Sequence, residues 1–186
     1  MTIAAVSKRL LLPALAAAGL AAAAPARAAA EVTEAEVKAA FIYNFTRFVE
    51  WEGLAASTAP GHFDICALGE DAVNASLSAL PAAEVLGKKI RVRLLKDSEE
   101  DLPSCRILFI GRSKKNRAAE IAGGLRKAGV LTVSGAPRFA RSGGIMGFVL
   151  ENKRVKIEVN LKAAREAGLK ISSRLLEVSR LVHDQP

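Results

Sequence analysis

Arg106-Ile107-Leu108-Phe109-Ile110-Gly111, continued by Arg112-Ser113-Lys114-Lys115-Asn116-Arg117, carries the strongest structural signal in the chain. Four apolar residues in an unbroken run, stopped by a glycine, have the length and composition of a strand buried on both faces in the middle of a sheet. The segment behind it predicts a helix from about Ser113 to Lys127, although Gly123-Gly124 weakens it by about 1 kcal/mol per glycine. Downstream, Val130 to Val133 reads as the next strand and Gly135 to Gly144 as a loop. Ile145–Leu150 and Val155–Asn160 then flank Glu151-Asn152-Lys153-Arg154, the pattern of a β-hairpin.

Upstream, Phe63-Asp64-Ile65-Cys66-Ala67-Leu68 and Gly69 form a strand and stop, followed by a helical stretch from Asp71 to Leu80 that Pro81 ends. Lys88 to Leu95 alternates basic and apolar residues, as a half-exposed or edge strand does. Before these, Thr33-Glu34-Ala35-Glu36 is a capping box, and Val37, Phe41, Phe45 and Phe48 recur at helical spacing up to a close at Trp51 and Gly53, with Ser57 to Gly61 as loop. The C-terminal part reads as helix from Leu161 to Ala167, a Gly168 stop, and helix again from Ser172 to Val182. Alternating strands and helices predict an α/β fold: a single layered domain with a mostly parallel central sheet, an edge β-hairpin and flanking helices.

The first 28 residues stand apart. Lys8 and Arg9 precede an apolar run from Leu10 to Ala24, and Ala26-Arg27-Ala28 supplies the small residues of a cleavage site, the layout of a secretory signal peptide. The run is shorter than the roughly 20 residues that span a bilayer. The expected organisation is a cleaved signal peptide over 1–28 and a periplasmic domain over 29–186, without direct membrane insertion. The formal charge of +8 then falls to 24 basic against 19 acidic residues, a net +5. A mild positive charge, with no aromatics interleaved among the cations, argues against nucleic acid as a partner. In an oxidising compartment the two cysteines, Cys66 and Cys105, are more often bonded than free; two separate buried thiols are the other option.

Catalytic chemistry is poorly represented. His62 and His183 are isolated, no nucleophile–base pair presents itself, and the motifs of phosphate-binding loops, hydrolase elbows and zinc helices are absent from the sequence. No enzyme activity, cofactor or metal is expected. Arg112, Lys114, Lys115 and Arg117 are unusual at the start of a predicted helix, where the dipole disfavours cations by about 0.3–1 kcal/mol each. They also follow a central strand, at the sheet edge where open α/β folds bind ligands. An anion or an acidic partner would relieve them, and Arg138 and Arg141 lie in the next loop toward the same edge.

Lys38-Ala39-Ala40-Phe41-Ile42-Tyr43-Asn44-Phe45-Thr46-Arg47-Phe48-Val49-Glu50-Trp51 is one of two recognisable stretches. The other combines Leu131-Thr132-Val133-Ser134, Gly143-Gly144-Ile145-Met146, Val159-Asn160, Ala163-Ala164 and Gly168 to Leu176. Together they resemble the YfiR-like family of periplasmic regulators, in the family's order from about Val37 to Val182. The resemblance implies a non-enzymatic regulator that binds the periplasmic domain of a YfiN-like membrane diguanylate cyclase and represses it, lowering cyclic-di-GMP signalling and biofilm formation. A YfiB-like outer-membrane lipoprotein would lift the block, and a homodimer is also implied. Cys66 and Cys105 stand where the family has a cysteine pair, which favours the disulfide; a second pair on the later hairpin is missing. Gly135 replaces an acidic residue common there. The partner surface is expected at exposed apolar residues Ile171, Leu175 and Leu176, with Arg138 and Arg141 at its rim. Two further functions remain open at this point: a small-ligand or anion-binding module, and an accessory sensor for another membrane signalling protein such as a histidine kinase.

Overall fold

The first helix starts where its cap dictates. In the computed structural model Thr33 Oγ1 accepts from the Glu36 amide at 3.2 Å while Glu36 Oε2 accepts from the Thr33 amide at 2.7 Å, so both partners of the capping box are in place. The structure describes residues 31–51, 61–95, 99 and 101–184. The expected signal peptide, Gly53 and most of the loop after it lie outside these residues. Val32–Pro186 form one compact unit, to which all the elements below belong.

Helix α1 spans Glu34–Phe48 and buries Ala39, Ile42 and Phe45. It stops three residues short of the expected end, because Val49–Trp51 turn into strand β1. Valine and tryptophan suit an extended backbone, and a distant segment, Leu169–Ile171, pairs antiparallel with them. Tertiary pairing thus overrides the helical periodicity.

The main sheet is built from β2 (His62–Leu68), β3 (Glu84–Val85), β4 (Lys88–Leu95), β5 (Ile107–Ile110), β6 (Leu131–Ser134), β7 (Met146–Glu151), β8 (Arg154–Asn160) and, after the small strand β9 (Leu169–Ile171), β10 (Arg180–Val182). Its order is β10-β8-β7-β6-β5-β2-β4-β3. The five strands from β7 to β4 run parallel, and β7–β8 is the predicted hairpin. Its two-residue turn, Asn152-Lys153, holds φ of 49° and 61°, the paired left-handed conformation that matches strand twist. β4 is covered on its outer side only by the two residues of β3, in keeping with its alternating pattern.

Strand β5 is buried along its whole length. Ile107 and Phe109 join the core under α1, with Phe45, Ile65, Leu131 and Val133, while Leu108 and Ile110 join a second core on the opposite face, with Leu68, Ile121, Leu125 and Phe139. Four such side chains gain about 6–12 kcal/mol before entropy is counted. The second core also holds the Cys66–Cys105 disulfide, whose Cα atoms are 5.9 Å apart. It ties β2 to the turn that leads into β5.

Two helices differ from expectation. The stretch 113–127 divides into a 3-10 helix, Arg112–Arg117, and a short α3, Ala118–Gly124, that ends at the paired glycines. The single helix expected over 172–182 is instead α5 (Ser173–Glu177) followed by β10, since the free edge of β8 takes Arg180–Val182 in parallel register. The remaining helices, α2 (Val73–Ser78) and α4 (Leu161–Glu166), fall within the predicted segments.

Candidate functional site

The chain leaves β2 toward β4 on one side and returns to β5 on the other, so the loops behind β2 and β5 diverge at the C-terminal edge of the sheet. Such switch points are where open α/β sheets hold ligands. Here the loops are stitched together. The Glu70 amide donates to Ser113 Oγ at 2.7 Å, the Ser113 amide donates to the Glu70 carbonyl at 3.2 Å, and the Gly111 amide donates to the Leu68 carbonyl at 2.9 Å. Gly69, at φ 78°, is required: a Cβ there would sit 2.5 Å from Ser113 Oγ and 2.7 Å from Lys114 Cγ.

Asp71 fills the role expected of an outside anion. Its Oδ2 accepts from the Arg112 amide at 2.9 Å and its Oδ1 from the Val73 amide at 3.0 Å, so one carboxylate caps the start of the 3-10 helix and of α2. Arg117 is likewise met within the chain, by Glu99 at 2.8 Å and Glu120 at 3.0 Å. Hydrogen bonds that it donates to Glu120 and then to Glu99 raise the Arg117 guanidinium above the usual arginine range, and the hydrogen bond from Arg117 lowers Glu120. Of the four cations, Arg117 thus has carboxylate partners within the chain, while Asp71 holds the Arg112 backbone amide.

Two openings remain beside this seam. A cleft of about 490 Å³ is bounded by Gly69, Glu70, Asn74, Leu94, Leu95 and Lys114, and in it Asn74 Nδ2 donates to the Gly69 carbonyl while Asn74 Oδ1 is buried without a partner among the described residues. Arg112 and Lys115 border a more open hollow with Glu70 and Asp71. The structure thus groups Arg112, Lys114 and Lys115 around the switch point and turns Arg117 away to its carboxylates.

Arg141 lies elsewhere along the same edge. Its Nη2 sits 2.9 Å from Oε1 of Glu158, a buried carboxylate on β8, four strands or about 19 Å across the sheet from β2. Arg180 joins this cluster at 3.7 Å from Glu158 and 2.7 Å from Glu151. Arg138 opens the 3-10 turn Phe139–Ser142 with φ 59°. Ser134 shapes the loop between, accepting from the Ala136 amide and donating to the Ile110 carbonyl. A side chain at Gly135 would meet Lys38 Nζ, which accounts for what an acidic residue there would pair with; in this chain Lys38 pairs with Glu34.

The expectation of an exposed apolar anchor needs correction. Ile171 and Leu175 are buried, 8% and 4% exposed, because β9 and α5 close the core under α1. Leu176 is half-buried against that core. The exposed apolar residues of the C-terminal segment are Val178 and Leu181.

Several polar residues of consequence carry no motif. Asp64 and Arg106 are buried at the opposite, N-terminal edge of the sheet, Glu158 is buried in β8, and Asn160 is fully buried. A lone carboxylate inside an otherwise apolar strand was the one available signal, at Asp64. Among the described residues no group of three or more His, Cys, Asp or Glu is placed to hold a metal, and no helix is long and apolar enough to cross a membrane.

No curated protein matches this chain significantly. A solved structure, the ABC domain in complex with L-Trp from Streptococcus pneumonia, superposes with a TM-score of 0.45 at 11% identity, covering 64% of this chain and 55% of that one, so the chain spans about half the length of that protein. A likeness at that level carries no argument about fold or ligand. The family comparison is of another order: the YfiR/HmsC-like family matches residues 35–180, from the first turn of α1 to the first residue of β10, and the chain belongs to that family.

Proposed function

We propose that this protein is a periplasmic, non-enzymatic regulator that binds the periplasmic sensor domain of an inner-membrane diguanylate cyclase and holds the cyclase inactive. Membership of the YfiR/HmsC-like family, a regulatory family, suggests a periplasmic regulator of the cyclic-di-GMP system, and the match over residues 35–180 carries the reading. The switch point is in keeping with it, since Asp71 and Ser113 there are engaged in holding the two loops together. Repression needs no reacting group. A regulator that binds the inactive cyclase about 2.7 kcal/mol more tightly than the active one shifts its equilibrium roughly a hundredfold. With Ile171 and Leu175 in the core, the contact surface falls to Arg138, Leu176 and the exposed Val178 and Leu181. A YfiB-like lipoprotein that competes for the regulator would release the cyclase.

The deciding experiment removes the gene and measures cellular cyclic-di-GMP, with a complemented strain beside it. A rise reversed by complementation supports repression. Unchanged levels across several growth conditions would sink it.

A second reading, a small-ligand module, draws on the cleft beside Asn74, whose buried Oδ1 lacks a donor and whose wall includes Lys114. It requires saturable thermal stabilisation by a small molecule in the absence of any protein partner.

A further inference from the structure

At the N-terminal edge of the sheet, opposite the switch point, three charged residues stand in a row across adjacent parallel strands. Arg91 of β4 is in register with Asp64 of β2, and the Arg106 amide donates to the Asp64 carbonyl at 2.9 Å as the chain enters β5. Side chains alternate along a strand, so Asp64 and Arg106 project to the face that carries Cys66 and Leu108. Asp64 is 3% exposed and Arg106 4%.

The row is unbalanced. Both oxygens of Asp64 are taken by Arg91, with Nε to Oδ1 at 2.8 Å and Nη2 to Oδ2 at 2.7 Å, and Arg93 approaches Oδ2 at 3.6 Å. Arg93 has its own carboxylate, Asp101, at 2.9 Å, and its Nη1 donates to Ser104. Arg106 is left with an electrostatic attraction to Asp64 and a buried Nη2 that reaches no acceptor among the described residues. Among those residues three guanidinium groups face two carboxylates, and the one without a hydrogen-bonded counter-charge is the most deeply buried. Burial pulls that guanidinium below the usual arginine range, with Asp64 acting in the opposite direction. A buried cation persists where a counter-ion accompanies it.

We propose that Arg106 anchors a small inorganic anion on the disulfide face of the sheet, beside Asp64. The anion supplies the missing negative charge and accepts from Nη2. Chloride and phosphate share that chemistry, and phosphate also matches the guanidinium fork. The site is separate from the switch-point cations and independent of any protein partner.

Thermal unfolding of the purified protein at constant ionic strength, with gluconate replaced by chloride in one series and by phosphate in another, tests this. A saturable rise in Tm of a few degrees at millimolar anion is expected in at least one series, below the concentrations at which salts act generally. Arg106→Met should abolish the rise. Arg91→Gln, at a half-exposed position, frees Asp64 to pair with Arg106 and should weaken the rise at least severalfold, so the test stands even where the Arg106 variant does not fold. A flat wild-type response in both series, or an undiminished response in either variant, would overturn the proposal.

Discussion

Asn160 Nδ2 donates to Asp184 Oδ1 at 2.6 Å, and so joins the end of β8 to the second residue after β10. The same amide nitrogen donates to the Ala140 carbonyl at 2.8 Å, and Oδ1 accepts from the Ala163 amide at 3.0 Å as the cap of α4. One fully buried side chain therefore holds two backbone groups and a carboxylate from three separate segments. Asn160→Ala removes the cap, at about 1 kcal/mol, and strands a buried carbonyl, at about 1–3 kcal/mol. A loss of about 2–4 kcal/mol is expected in urea unfolding; a loss below 1 kcal/mol would show that water replaces the amide.

The same contact makes stability depend on acid. Asp184 is held below the ordinary aspartate value of 3.8 by the Asn160 hydrogen bond first and by Lys162 after it, and Glu151 is lowered chiefly by its hydrogen bond from Arg180. Depressed carboxyl groups contribute stability that is present above their unfolded value and lost as pH falls through the folded one. The difference in urea midpoint between the wild type and Asp184→Asn should therefore be largest near neutrality and close below about pH 3.8. A difference that stays constant from pH 6 to pH 3 would count against the contact.

Cys66 and Cys105 close a loop of 39 positions, for which chain entropy gives about 4 kcal/mol. Replacing both by alanine should lower the unfolding free energy by about 2–4 kcal/mol under non-reducing conditions. Both residues are 1% exposed or less, so dithiothreitol should reduce the native protein far more slowly than the urea-unfolded one. Equal rates of thiol release would contradict this burial.

Gly144 faces the ring of Phe139, where a Cβ would come within 2.6 Å of three ring carbons. Phe139 is itself buried, in the second core. Gly144→Ala is expected to cost about 1–3 kcal/mol and to disturb the adjacent Arg141–Glu158 pair. An unchanged Tm would mean that the 3-10 turn moves freely.

Arg138 and Arg141 are not equivalent probes of the partner surface. Arg141→Glu would set a second carboxylate against buried Glu158, and a loss of stability of about 1–3 kcal/mol would confuse any binding result. Arg138→Glu, at an exposed position, should weaken capture of the cyclase periplasmic domain in a pulldown, with the Tm of the variant measured beside it. Undiminished capture would remove Arg138 from the interface.

What could be read in advance was local. The β5 run, the β7–β8 hairpin and the Thr33 box declare themselves within a few residues, since periodicity, turn chemistry and caps are short-range. Three-residue strands were invisible because β1, β9 and β10 exist only through distant partners; nothing within Val49-Glu50-Trp51 announces Ile171. The surroundings of the basic segment are long-range in the same way. The contacts that hold it, from Asp71 to the Arg112 amide, from Glu99 to Arg117 and between Ser113 and Glu70, come from residues up to 43 positions away. Likewise, the Arg91–Asp64–Arg106 row becomes readable only once the strand order is known. The family resemblance supplied the regulatory reading that no single residue pattern carries.

The pairing of Val49 with Ile171 spans 122 positions, and Leu169, Ile171 and Leu175 of the same late segment belong to the core that α1 covers. A chain that emerges from a ribosome or a translocation channel N-terminus first can seat the aromatic face of α1 on Phe148 once the hairpin is out, but β1 has no strand to pair with until residue 171 follows. A nascent or truncated copy that ends before residue 169 therefore carries an open strand edge and an unfinished core, features that quality-control proteases and chaperones recognise.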